Sequence, residues 1–223
     1  MTSSLNLNNI IQHPFPDNQY IKEEHPKKQI YLHHTAGGSN GISTYKFWES
    51  NTERVATCVV ISGATNAMPD GQIVQGFPSK YWSYHLGLTD KPFKTFNIPY
   101  QSLDKISIGL ELCNWGILKK TDRGFESWAQ VIVPERDVCV LDKSFKGSKY
   151  YHNYTDAQIE SVRQLLVYWN SIYGIPLTYN KDIFDVTPRA LRGEPGVYTH
   201  NSVRKDKTDI YPHPKIIKML QSL

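Results

Sequence analysis

The sequence predicts an α/β fold in a single layered domain. Several short apolar runs have the length and β-branched content of buried strands, and a long amphipathic helix follows them. A chain of 223 residues is enough for one sizeable core and marginal for two. Hydrophobic residues make up 39% of it and aromatic residues 12%, which is a globular composition.

The amino-terminal third predicts an irregular segment, a strand and a helix. Residues 1–28 are rich in Pro and Asn and are expected to lead irregularly into the first strand. Residues 29–33, QIYLH, have the apolar character of that strand. Residues 43–53 are predicted to be a short helix that Ser43 caps.

The middle of the chain predicts three more strands. Residues 57–62 are a β-branched run, and 69–77 begin with an Asp-Gly turn, so the two together predict a hairpin. Residues 107–114 predict a further strand, in which alternation places Glu111 on the face opposite to Leu110.

The clearest helix has the sequence TDAQIESVRQLLVYWNSIYG. Thr155 and Gln158 have the spacing of a capping box, apolar residues recur along one face, and Gly174 is placed to end the helix. Residues 196–201 predict the last strand, and a final helix carries Pro214 in its first turn.

The predicted organisation is therefore an irregular lead-in over 1–28 and one domain over 29–223. Residues 116–153 are polar and aromatic without a clear period. This stretch is predicted to be an insertion in the domain or a long loop.

Charge and composition limit the partners. The net charge of +4 would suit an anionic polymer such as nucleic acid or cell wall, and it is equally typical of an ordinary surface. Lys and Arg are scattered and no nucleic-acid motif is present, so a nucleic-acid partner is not expected. The apolar runs fall short of the roughly 20 residues that span a bilayer.

The first 25 residues lack a basic start followed by an apolar core, so no secretory signal is expected. Synthesis in the cytoplasm is predicted, and a role outside it would require release by another agent. Cys58, Cys113 and Cys139 are odd in number and far apart, which excludes a disulfide framework and a Cys-x-x-Cys zinc ribbon.

The eight histidines fall into two groups. One group has polar or proline-flanked neighbours and is predicted to lie on the surface: His13, His25, His152 and His213. The other group ends strand-like segments or lies in glycine-bearing turns, where functional residues collect. Its members are His33, His34, His85 and His200.

The adjacent pair His33 and His34 raises a question of direction, because a strand sends neighbouring side chains to opposite faces. Only one of them is expected to face a site, and alternation does not say which. Farther along, His200 is followed by Lys207 and Asp209. Two imidazoles, a carboxylate and an open position suit a catalytic zinc, although a solvated turn is the alternative from spacing alone.

Five sequence blocks, in order, carry a family resemblance. They are IYLHHTAG, RVATCVVISG with DGQIVQGF, WSYHLG, SIGLELCNWG and THNSVRKDKTD. Together they resemble the zinc-dependent N-acetylmuramoyl-L-alanine amidases shared by phage lysozyme-amidases and peptidoglycan recognition proteins. The resemblance runs from about residue 29 to 212, with 116–153 unmatched. It implies a central mixed β-sheet flanked by helices, with a zinc site in a surface groove.

The resemblance also implies roles by position. One Zn²⁺ ion would be held by His33, His200 and Asp209. Lys207 matches the lysine that contacts the reacting carbonyl, and Glu111 matches the acidic residue of the cytoplasmic members, here the expected proton acceptor.

The predicted substrate-binding residues are His85, Trp82, Tyr84 and Asn114. Structural roles remain open beside these functional ones. Aromatic residues beside strands more often belong to the core. Glu111 could simply pair with Lys207, His85 could hydrogen-bond a neighbouring loop, and His34 is expected to support the site or pack.

Two departures from the family pattern affect these assignments. Thr57 stands where a subset of the family has a catalytic tyrosine, which leaves Glu111 as the expected general base. The usual Asp-Pro-Gly after the last ligand is absent, because Asp209 is followed by Ile-Tyr-Pro. The loop that directs Asp209 must therefore differ.

The resemblance predicts an enzyme that cleaves the amide between N-acetylmuramic acid and L-alanine of peptidoglycan. A lone catalytic domain fits a monomeric phage endolysin that reaches the wall after release by a holin. The alternatives are a non-catalytic peptidoglycan-binding module on the same fold and a cytoplasmic wall-recycling amidase acting on muropeptides.

Overall fold

The computed structural model describes residues 10–223, which form a mixed α/β domain around one central sheet. Its strands are β1 (Ile11–Gln12), β2 (Gln29–His34), β3 (Val59–Ile61), β4 (Ile73–Gln75), β5 (Ser107–Leu112), β6 (Lys119–Thr121), β7 (Gly124–Glu126), β8 (Ile132–Val133), β9 (Val138–Phe145), β10 (Ser148–His152) and β11 (Gly196–Thr199). Its α-helices are α1 (Gly41–Glu49), α2 (Asp90–Thr95), α3 (Leu103–Ile106), α4 (Asp156–Tyr173), α5 (Pro188–Leu191) and α6 (Pro214–Gln221).

The central sheet has six strands in the order β1-β4-β3-β5-β2-β11. Strands β3, β5, β2 and β11 run parallel, whereas β4 is antiparallel to β3 and β1 is parallel to β4. Helix α1 packs on β3 and β4, α4 packs on β3, and α6 packs on α4. The predicted fold class, a central mixed sheet flanked by helices, is confirmed.

The lead-in differs in part from its predicted irregular form. Residues 1–9 lie outside the described residues. Beyond them β1 adds an edge strand to β4, and Phe15 and Tyr20 are buried against Phe77. These apolar side chains are too widely spaced to produce a strand signal, but each covers part of the core.

The helix signals differ in how well they locate helix ends. For α4, Thr155 and Gln158 form the predicted capping box, and Gly174 ends the helix at φ +67°. For α1, the cap is Asn40 and not Ser43, because the Asn40 side chain accepts the Ser43 N–H at 3.2 Å. The predicted β3–β4 hairpin forms with antiparallel register.

Residues 116–153 contain two small antiparallel sheets where the sequence predicted an insertion or long loop. One has the order β6-β7-β8 and a core of its own, formed by Leu118, Phe125 and Val133. The other is the β9-β10 hairpin. Most of these side chains are exposed or half-buried on both faces, so no alternating pattern marks the strands.

Two further features complete the domain. Within residues 10–223, no helix has the length and apolar character needed to cross a membrane. The three cysteines are free thiols.

Candidate metal centre

Three potential ligands converge where the parallel strands β2 and β11 end. His33 lies on β2, His200 follows β11 directly, and Asp209 comes from the next loop. Both imidazoles approach the same carboxylate oxygen, Asp209 Oδ2, which is 3.0 Å from His33 Nδ1 and 2.9 Å from His200 Nδ1. The two Nδ1 atoms are 3.1 Å apart, and all three residues are buried.

The structure shows which of the two adjacent histidines, His33 or His34, points towards the other potential ligands. His34 is also buried, but its Nδ1 lies 2.7 Å from the Tyr154 hydroxyl and away from the three converging atoms. Its Nε2 packs against Gly116, where an added Cβ would be only 2.6 Å away and where φ is +72°. His33 therefore belongs to the cluster, and His34 packs between the sheet and the start of the 116–153 segment.

The outer nitrogens of the clustered histidines each have a hydrogen-bond partner. His200 Nε2 lies 2.9 Å from the carbonyl oxygen of Leu86, which can only accept, so Nε2 carries the proton and Nδ1 keeps its lone pair. His33 Nε2 lies 3.0 Å from His85 Nδ1, and His85 Nε2 lies 2.9 Å from Ser107 Oγ. Donation by His33 Nε2 along this chain would leave the lone pair of His33 on Nδ1 as well.

One buried carboxylate holds the segment that supplies both outer partners. Asp104 Oδ1 accepts the backbone N–H of His85 at 2.9 Å and that of Leu86 at 3.0 Å. Gly109 makes room for the same segment, since a Cβ there would lie 2.9 Å from His85 Nδ1. Sequence reasoning missed both residues, because neither has a spacing that marks a site.

The loop carrying Asp209 is held by Asn201. The Asn201 amide donates to the carbonyl oxygens of Asp209 and Ile210 at 3.1 and 2.9 Å, and its side chain is buried. This contact shows how a loop without the family's Asp-Pro-Gly can still direct Asp209. Asn201 was also missed, since it acts only on backbone.

The chemistry of this donor set fits a divalent cation. Two imidazole nitrogens and a carboxylate oxygen, which are ligand types that zinc prefers, lie within 3.1 Å of one another. Burial, with the neighbouring His200, lowers the pKa of His33 to about 4, so its ring is neutral near pH 7, as ligation requires. Burial raises the pKa of Asp209, but His200 and His33 outweigh this and hold it well below its usual value. Within residues 10–223, His33, His200 and Asp209 form the one cluster of three such ligand-type residues.

Glu111 and Lys207 lie close to this cluster. Glu111 is in register with His33 across the parallel β2–β5 pair, so the two side chains share a face. Its Oε2 is buried without a hydrogen-bond partner among the described residues. Burial raises the pKa of Glu111 well above its usual range, and Asp209 raises it further, whereas Lys207 opposes the shift.

Lys207 is half-buried, two residues before Asp209. Within residues 10–223, no ion pair joins it to Glu111 or to any other carboxylate. The alternative in which these two residues simply form a salt bridge is therefore not observed.

The predicted substrate-binding residues do not form one surface. The side chain of His85 is only 5% exposed, and its Nδ1 lies 3.0 Å from His33 Nε2. Asn114 is 1% exposed, with its amide bound to the backbone of residues 116, 152 and 153. Trp82 is buried and pairs with Ile21 of the lead-in, whereas Tyr84 is 46% exposed.

Comparison with known proteins agrees with this geometry. A family model described as N-acetylmuramoyl-L-alanine amidase matches residues 23–214. No curated protein sequence matches the chain significantly.

Solved structures of similar fold include PlyL, at 16% identity and a TM-score of 0.51, covering 95% of this chain and 96% of that one. A mutant endolysin from Bacillus subtilis has 14% identity and a TM-score of 0.54, covering 96% and 97%. The catalytic domain of XlyA has 14% identity and a TM-score of 0.52, also covering 96% and 97%. At these identities the structures establish a shared fold, and the family match extends over most of the sequence. The chain belongs to the N-acetylmuramoyl-L-alanine amidase family.

Proposed function

We propose that this protein is a zinc-dependent hydrolase that cleaves the amide between N-acetylmuramic acid and L-alanine in peptidoglycan. One observation carries the proposal: His33 Nδ1, His200 Nδ1 and Asp209 Oδ2 converge in a chain whose family cleaves this bond. Catalytic zinc sites typically have three protein ligands, and these three residues would hold the ion.

The bound zinc would supply a water of lowered pKa and a polarised carbonyl. Glu111 is proposed to accept the proton of the attacking water, and its position on the same face of the sheet as His33 supports this role. Its unpaired Oε2 has no competing donor among the described residues. Glu111 then returns the proton to the departing amine of L-alanine, so the reaction consumes one water and releases a free amino terminus.

Lys207 is proposed to stabilise the negative charge that develops on the carbonyl oxygen. Its position two residues before Asp209 and its freedom from ion pairs among residues 10–223 support this role. A positive charge that is already neutralised by a neighbour would contribute much less to an oxyanion.

The non-catalytic binding module is the weaker alternative. Such a module requires no complete ligand set, whereas here His33, His200 and Asp209 are all present and their outer partners are in place. We also propose a monomeric enzyme of the endolysin type, made in the cytoplasm and acting on the wall after holin-type release. The similar fold of a Bacillus subtilis endolysin supports this setting.

Mass spectrometry of the products from purified sacculi tests the reaction. We expect stem peptides with a free L-alanine amino group and glycan strands without new reducing ends. New reducing sugar ends alone, or cleavage only within the peptide, would overturn the proposal.

Two variants test the assigned roles. Glu111→Gln is expected to lower kcat about 10²–10⁴-fold, because it removes the proton acceptor. Lys207→Ala is expected to lower kcat about 10²–10³-fold through loss of oxyanion stabilisation. Lys205→Ala, which changes an exposed lysine of the same loop, is the matched control and should retain wild-type kcat. Both test variants should still bind zinc, since neither residue is a ligand.

A further inference from the structure

The 116–153 segment creates a cavity beside the metal centre. The small β6-β7-β8 sheet forms one wall, and the loop after β2 forms another. The volume of this open cavity is about 440 Å³. We call it the insertion cavity and define it by Ala36, Trp115, Lys119, Glu126, Trp128 and Thr208, which are among its lining residues.

The insertion cavity is lined by residues adjacent in the chain to two of the three potential ligands. Thr208 precedes Asp209 directly, and His34, a further lining residue, follows His33 directly. Consecutive Cα atoms are about 3.8 Å apart, so the cavity wall begins one residue from two of the ligands. A polymer whose scissile amide reached the metal centre would extend within reach of this cavity.

The wall contributed by the insertion is joined to the loop after β2 by a hydrogen bond of Trp128. Trp128 is 73% exposed, yet its indole Nε1 donates to the carbonyl oxygen of Ala36 at 2.7 Å. The sheet that carries it is held by its own core of Leu118, Phe125 and Val133, against which Trp115 packs. A large indole face is thus held open to solvent at the rim of a preformed cavity, an arrangement typical of a ligand platform.

The lining of the insertion cavity contains one lysine and one glutamate side chain, which are opposite in charge. Lys119 and Glu126 are register partners across the β6–β7 pair, so one base and one acid stand side by side. The remaining polar groups of the lining are mostly hydroxyls, those of Thr121, Ser127 and Thr208. Balanced charge, hydroxyl groups and indole rings suit a neutral, amphipathic ligand better than a peptide bearing free carboxylates.

We infer that the insertion cavity binds a sugar ring of the glycan strand while the amide is cut at the metal centre. A pyranose has an apolar C–H face for the indole rings and hydroxyls for the polar wall. The inference rests on the proposed function for the identity of the polymer. It assigns to residues 116–153 a role in selecting substrates that carry glycan.

Binding of peptide-free glycan tests this without depending on catalysis. The probe is a tetrasaccharide of N-acetylglucosamine, which carries no carboxylate, titrated into the full chain by calorimetry. Trp128→Ala is expected to weaken binding at least tenfold, and Trp128→Phe to weaken it less, because Phe retains an aromatic face. Phe96→Ala is the matched control: Phe96 is also exposed but lines a different cavity, so wild-type affinity is expected.

The results separate this inference from the proposed function. An active amidase that binds no peptide-free glycan would overturn the sugar site and leave the proposed function intact. Glycan binding lost in Trp128→Ala but present in a chain that cleaves no amide would overturn the proposed function alone. Wild-type glycan affinity in Trp128→Ala, with unchanged thermal stability, would also overturn the sugar site. Binding of free stem peptide at Trp128, in place of glycan, would overturn the sugar site as well.

Discussion

Asp104 offers the sharpest test of how the candidate metal centre is held. Its carboxylate is buried, and one oxygen accepts two backbone N–H groups, those of His85 and Leu86. Those two residues in turn meet the outer nitrogens of His33 and His200. A change at Asp104 should therefore reach both imidazole ligands although it touches neither.

The expected size of the effect follows from these contacts. Asp104→Ala leaves two buried N–H groups unpaired at about 1–3 kcal/mol each, so the free energy of unfolding should fall by about 2–6 kcal/mol. Asp104→Asn keeps the shape and an acceptor oxygen, but hydrogen bonds to a neutral acceptor are about half as strong. Zinc affinity of Asp104→Asn should fall about 10- to 100-fold, the usual consequence of disturbing the partners of metal ligands.

The assay is competition with a chromophoric chelator for zinc, with denaturant unfolding of the metal-free protein alongside. Asp90→Asn is the control, since Asp90 is exposed and forms only a surface pair with Lys94 on α2. A zinc affinity of Asp104→Asn within twofold of wild type would refute the reasoning. It would mean that the 85–86 segment does not set the orientation of the ligands.

Three further predictions concern single side chains. Gly109→Ala should weaken zinc binding about tenfold in the same competition assay, because a Cβ 2.9 Å from His85 Nδ1 displaces that ring; unchanged affinity would contradict the contact. Burial lowers the pKa of His213 to about 4 from about 6.5 in the unfolded chain, so wild type should lose about 2 kcal/mol between pH 7 and pH 5 through this group. His213→Asn keeps a cap for α6, and its unfolding free energy, measured with urea, should fall by about 2 kcal/mol less than that of wild type between pH 7 and pH 5. The same dependence of unfolding free energy on pH in both proteins would contradict the prediction. Thr155→Ala removes the cap of α4 and should cost about 1 kcal/mol of unfolding free energy, and a cost near zero would argue against the capping box.

The sign of the His213 effect follows from the protonation states. The folded protein keeps this ring neutral down to about pH 4, whereas the unfolded chain protonates it near pH 6.5. Between these values the unfolded state binds more protons, so stability falls as the pH falls. Protonation would also remove the ring nitrogen that accepts the N–H groups of Lys215 and Ile216.

What the sequence could predict depended on whether its signals were local. Helix α4 has its cap, its apolar face and its terminating glycine within 20 consecutive residues, and all three are confirmed. The β3–β4 hairpin likewise follows from a nearby turn. The surface prediction for His213 was wrong, because burial of that ring arises from its packing against Tyr154 and Tyr211.

The candidate metal centre, in contrast, depends on contacts between residues that are far apart in the sequence. His33 and His200 are 167 positions apart, and only the parallel pairing of β2 with β11 brings them together. No periodicity reports that pairing, so their assignment depended on family resemblance. The roles of Asp104 and Asn201 could not be predicted even with the family resemblance. Both side chains bind backbone groups, and many polar loop residues in a sequence look the same as these two.

The central claim is that His33, and not its neighbour, is a zinc ligand of a peptidoglycan amidase. The direct measurement is zinc per chain by mass spectrometry, with release of stem peptide from sacculi, in wild type, His33→Ala and His34→Ala. We predict one zinc and peptide release in wild type and neither in His33→Ala. His34→Ala should keep its zinc and lose about 1–3 kcal/mol of stability, because the Tyr154 hydroxyl loses its partner. Zinc and peptide release that both persist in His33→Ala would contradict the account.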